Sequence, residues 1–129
     1  MKTLITIISS IAVFCWVVSR PYAEQPTVIA SYYGMESKGV TANGERFDGS
    51  TLTAAMYEYQ GKLIPFDSLV KVTLGPSTNS VVVRINDRGP RKGLKPHRTI
   101  DLSERAYRMI APIESGLCKV KLEILRYGK

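Results

Sequence analysis

The sequence predicts a mainly β domain, a small barrel of five or six short strands with one brief helix. Three observations predict it. Residues 69–74 and 117–125 alternate apolar and polar side chains, the pattern of half-buried strands. Residues 81–85 (VVVRI) place four β-branched apolar residues in five positions, the composition of a buried strand. Glycine, proline and asparagine punctuate the chain every few residues, and only residues 104–111 carry apolar residues at helical spacing.

Taken in order, residues 27–33 (TVIASYY) are rich in β-formers and predict the first strand. The next fifteen residues hold Gly39, Asn43-Gly44 and Asp48-Gly49 and predict turns and loop. Residues 52–56 are apolar and lead to residues 57–62 (YEYQGK), a hairpin tip or exposed loop. Residues 69–74 and 81–85 are strands joined by a turn over 75–80, and residues 91–98 form a basic loop. Residues 99–102 make a short strand running into Ser103, which predicts an N-cap for a helix over 104–111 that Pro112 stops. Ala106, Met109 and Ile110 form its apolar face, and Val120, Leu122 and Ile124 point inward from the last strand.

At 129 residues the chain is one domain with a leader. Lys2 followed by an apolar run over 4–18 predicts a signal peptide over residues 1–23, with the mature domain at 24–129. Cleavage after Ser19 competes with cleavage after Ala23, and an uncleaved anchor is the third reading. Phe14 argues against lipidation of Cys15. After cleavage no stable membrane span is expected. Cys118 is then left unpaired and reads as a small buried hydrophobe, so the fold depends on its core rather than on disulfides.

The chain carries +7, or +5 once Lys2 and Arg20 are removed with the leader. That excess suits an anionic polymer outside the cytoplasm. No helix or aromatic-basic motif of a nucleic-acid reader is present, so no nucleic-acid partner is expected. One histidine and no CxxC pair effectively exclude a structural zinc site, and no cofactor is expected. The domain is taken as a monomer.

Chemistry concentrates at residues 81–90 (VVVRINDRGP). Asp87 falls where a strand leaves the sheet for a Gly-Pro turn, a position from which a rigid scaffold presents a side chain. It reads either as a turn cap paired with Arg88 or as a carboxyl acid/base at a groove. Glu45 reads equally as a loop acid bonded to Asn43. Asp101 reads first as a charge stabilising the start of the 103–111 helix. Lys92, Lys95 and Arg98 read as a solvated loop or as a steering surface for an anionic polymer, and His97 as a surface residue.

Three blocks read together, residues 30–34 (ASYYG), residues 41–48 (TANGERFD) with 52–55 (LTAA), and residues 81–90 with 100–103 (IDLS), carry a resemblance. The chain resembles the RlpA-like (rare lipoprotein A) double-psi β-barrel family, related in fold to expansins and barwin-like proteins. The resemblance implies a six-stranded double-psi barrel, exported to the periplasm or cell envelope, that binds peptidoglycan glycan strands. It implies lytic transglycosylase chemistry, in which a MurNAc-GlcNAc bond is cut without water to leave a 1,6-anhydro end. It places the acid/base on Asp87 and a supporting carboxylate on Glu45; Tyr33, Asn43, Met56, Arg88 and Asp101 are expected to bind substrate. Asp101 matches the aspartate that expansin-like relatives use.

The same carboxyl can protonate the leaving oxygen and then take the C6 hydroxyl proton as the ring closes. A neighbouring carboxylate, Glu45 or Asp101, would help it hold a proton, and Arg88 is expected to turn outward or hold substrate. Relatives commonly place histidine where this chain has Met56, and residues 56–65 are about five longer than the usual loop. A non-catalytic wall-binding module is therefore the alternative reading. A third is an inhibitor or effector that meets a protein through residues 57–62.

Overall fold

The computed structural model describes residues 25–34 and 39–129; the signal-peptide reading of residues 1–23 lies outside the described residues. Among the described residues there are eight strands and one α-helix: β1 (Val28–Tyr33), β2 (Thr53–Ala55), β3 (Glu58–Tyr59), β4 (Lys62–Leu63), β5 (Leu69–Leu74), β6 (Ser80–Asp87), β7 (Ile100–Ser103), α1 (Glu104–Arg108) and β8 (Cys118–Arg126). Six of them close into a barrel in the order β1-β7-β2-β6-β5-β8, while β3 and β4 form a separate hairpin. Two pairings are parallel, β1 with β7 and β2 with β6, and the other four are antiparallel. Closure removes the exposed edges that a small open sheet would carry.

The predicted alternation holds on β5 and β8, and β6, read as a buried strand, alternates too, leaving Val82 40% exposed. Val70, Val72, Val83, Ile85, Val120 and Leu122 are buried with Ala54, Ile100 and Leu102 from the neighbouring strands. Each buried valine, leucine or isoleucine side chain stabilises the fold by about 1.5–3 kcal/mol, enough in sum to hold a small domain without a staple. Cys118 is free and only half-buried, less enclosed than expected. Among the described residues no helix is long and apolar enough to cross a membrane.

The helix is shorter than its sequence pattern suggests. Ser103 caps it as expected, accepting from the Ala106 N–H at 3.2 Å and donating its own proton to the Thr51 carbonyl at 2.6 Å. Beyond Arg108 the chain tightens into three-residue turns, Met109 N–H to Ala106 and Ile110 N–H to Tyr107, as it approaches Pro112. This rotation leaves Met109 51% exposed and buries Tyr107 instead. The predicted apolar face was therefore right at Ala106 and Ile110 and wrong at Met109.

Residues 57–62 do fold as a hairpin tip. Glu58 pairs with Leu63 and Tyr59 with Lys62 across a two-residue turn, and both Gln60 and Gly61 take positive φ (53° and 75°), the geometry a tight hairpin needs. Tyr59 packs inward while Tyr57 stays exposed.

Candidate active site

Strand register assembles the site. Asp87 on β6 pairs with Ala55 on β2, Ala55 pairs with Asp101 on β7, and Asp101 pairs with Ser31 on β1. Four residues distant in sequence thus form one row across four strands, their side chains on one face. The two aspartate backbones lie two strand spacings apart, on the order of 10 Å. Between them stands alanine, the smallest side chain that still belongs to a strand. A bulge between Ala54 and Ala55 shifts the register to bring Asp87 into this row.

Asp87 is the last residue of its strand. Its Oδ1 accepts the Ala42 N–H at 2.9 Å and the Arg88 N–H at 2.8 Å. No described residue bonds its Oδ2. One oxygen is fixed by backbone and the other is open to chemistry.

Asp101 was expected to support the helix start; the structure overturns that. Ser103 and Glu104 serve the helix terminus, and Asp101 Oδ1 instead accepts a hydrogen bond from Ser31 Oγ at 3.3 Å. Burial pushes its pKa up to about 6; the Ser31 bond and the Arg98 charge oppose the shift, and Asp87 adds to it. Tyr33 reaches the same row. Burial raises its phenol first, then the charges of Asp87 and Asp101. The hydroxyl is shut in beside Thr53 without a sound hydrogen bond, and the ring packs on Phe47 at 4.7 Å.

Glu45 makes the Asn43 bond of its loop-acid reading and adds an ion pair that the sequence did not suggest. Its carboxylate forks onto Arg84, with Nη1 at 2.6 Å and Nη2 at 2.8 Å, and accepts also from Asn43 Nδ2 at 2.8 Å and Asn86 Nδ2 at 3.3 Å. Those bonds, Arg84 first, hold it down to about 2. A group so acidic carries no proton at neutral pH. Arg84 also contacts Asp67 at 3.0 Å. The result is a clamp that ties the 41–46 loop to β6, and the same loop supplies the Ala42 N–H that fixes Asp87.

Three further expectations are corrected. Met56 is fully buried in the core, so its side chain offers nothing to a sugar. Arg88 does not turn outward: its Nη1 donates to the Met56 and Ile64 carbonyls, both at 2.8 Å, and its guanidinium covers the Phe66 ring at 3.9 Å. It holds the 56–65 segment against the barrel, using the planar fork and cation–π face that arginine has and lysine lacks. Asn43 spends its side chain within its own loop, accepting from Thr41 Oγ1 and the Glu45 N–H and donating to Glu45.

An open groove of about 420 Å³ runs along the row's Asp101 end, lined by Ser31, Tyr32, Arg91, Arg98 and Leu117 among others. Tyr32, rather than Tyr33, faces it, with its ring 4.9 Å from Tyr107. Sequence reasoning did not single out Ser31. Its position two residues before Tyr33 on the same strand face was the available signal.

A closed six-stranded barrel with this order of parallel and antiparallel pairings is a double-psi β-barrel, here with an acidic row at one groove. The chain belongs to the family described as lytic transglycolase, which matches residues 25–122. It is 42% identical over 103 residues to the endolytic peptidoglycan transglycosylase RlpA of Rickettsia felis, covering 77% of this chain and 42% of that one. It is 48% identical over 99 residues to the probable endolytic peptidoglycan transglycosylase RlpA of Synechocystis, covering 76% and 28%. The chain thus spans less than half the length of these curated relatives. Among solved structures the fold resembles the Streptomyces papain inhibitor (TM-score 0.59, 23% identity, 82% of this chain and 98% of that one). It also resembles a Clavibacter michiganensis expansin variant in complex with cellohexaose (TM-score 0.54, 22% identity, 78% and 51%).

Proposed function

We propose that this domain binds peptidoglycan glycan strands and cleaves the MurNAc-GlcNAc bond as a lytic transglycosylase in the cell envelope. The observation that carries the reading is the Asp87–Ala55–Asp101 row, found in a chain of the lytic transglycolase family. Asp101 retains a proton up to about pH 6 because burial disfavours its charge. Asp87, with Oδ1 anchored and Oδ2 open, is the member suited to meet the glycosidic oxygen. It donates a proton to the leaving GlcNAc oxygen, and as carboxylate takes one from the C6 hydroxyl of MurNAc as that oxygen closes onto C1. Asp101 is the second carboxyl, adding negative charge opposite the developing oxocarbenium ion once it ionises. In this scheme Glu45 positions rather than reacts, and Met56 takes no part.

The test is mass spectrometry of products from peptide-free glycan strands incubated with the purified chain and with Asp87→Asn. Anhydro-ended fragments from the unaltered chain alone are expected. Retained glycan binding with no fragments from either would convert the reading into a wall-binding module.

A further inference from the structure

The groove does not end at Arg98. Pro90 and Arg98 line both it and a smaller notch of about 50 Å³, closed on one side by Tyr57 and Glu58 of the hairpin and on the other by Lys92, His97 and Thr99. The notch has room for a carboxylate and a water or two, and is too small for a sugar ring. Arg98 feels the charge of Asp101 across the groove, but the notch's cations form no ion pair among the described residues. Among the described residues no acceptor bonds Arg98 Nε, which is enclosed, and no ion pair occupies Arg91, Lys92 or Lys95. Arg84 and Arg88, by contrast, are spent on Glu45 and on backbone carbonyls. Against these cations stand only Glu58 at the notch and Asp101 in the groove.

We infer that the notch is a carboxylate-binding subsite, one position along the strand from the bond to be cut, in which Arg98 and Lys92 bind an acidic substituent of the glycan beneath Tyr57. The inference rests on the proposed glycan-binding function and names a determinant of its specificity. The longer 56–65 segment acquires a purpose, since without the hairpin the notch has no outer wall. Two sources could supply the carboxylate: the lactyl group of a bare muramic sugar, or the peptide stem that replaces it.

Calorimetry on the Asp87→Asn chain, which cuts nothing, separates these. Three muramic-acid tetrasaccharides of equal length serve as ligands: one with free lactyl carboxylates, one with those groups converted to methylamides, and one bearing peptide stems. A charge-assisted bond in a half-enclosed site predicts that the free acid binds about tenfold more tightly than the amide. Adding Lys92→Gln and Arg98→Gln should erase that ratio and leave the amide's affinity unchanged. Lys92→Gln alone, at an exposed position that folding tolerates, should reduce it about threefold. Stem-bearing strands that match the acid assign the carboxylate to the peptide, and strands that match the amide assign it to the lactyl group. Equal affinity for all three ligands overturns the subsite. Failure to bind any of the three overturns glycan binding itself, and preference for the acid without anhydro products from the unaltered chain overturns only the cleavage.

Discussion

Replacing Glu45 by glutamine separates a positioning role from a catalytic one. The substitution keeps the size and one acceptor oxygen but removes the charge that Arg84 grips through two bonds of 2.6 and 2.8 Å. A carboxylate lowered from 4.5 to about 2 would represent about 3 kcal/mol in a site sealed from water. The two side chains are 35% and 40% exposed, so screening reduces this to about 1 kcal/mol. For a domain of this size that is a fall in Tm of about 5 °C at pH 7. Because the folded-state pKa is depressed, the stabilisation is present above the unfolded value of 4.5 and is lost as pH falls toward 2. Urea denaturation from pH 7 to pH 2 should show that acid limb in the unaltered chain and a shallower one in Glu45→Gln. Turnover should fall severalfold, through loosening of the loop that fixes Asp87, while the pH dependence keeps its shape. Identical stability curves, or complete loss of turnover with no loss of stability, would refute the clamp and return Glu45 to the chemistry.

Asp101→Asn should remove the limb of the activity profile near pH 6; in the unaltered chain activity rises as Asp101 ionises through that value, and a pH–rate series checks it. Arg88→Ala leaves two carbonyls without their donor and uncovers Phe66, and should cost about 3 kcal/mol by denaturant midpoint, with Arg88→Lys recovering only part. Met56→His restores the residue common in relatives but places an imidazole at a fully buried position; thermal melts should show a loss of about 1–3 kcal/mol, and product yield should not rise.

Local chemistry made much of the fold legible. Alternation on β5 and β8, the β-branched run of β6, the Ser103 cap and the Gln60-Gly61 turn each follow from a few adjacent residues, so the sequence determined them without help. The Asp87 position was legible for the same reason: a strand meeting Gly-Pro must present its last side chain at a rim. Partnership was not. Glu45 finds Arg84 thirty-nine residues away, and nothing near Glu45 distinguishes a catalytic carboxylate from a clamped one. Asp101 sits two residues before a helix, where a helix charge is the simplest reading; only the register of β1, β7 and β2 turns it toward Ser31 and Asp87. Arg88 and Met56 lie beside Asp87 in sequence or motif, yet one folds back on a carbonyl pair and the other enters the core. A strand's sequence specifies which residues share a face. Barrel closure decides which strands become neighbours, and with that which charges meet, which protons are held, and where the groove runs.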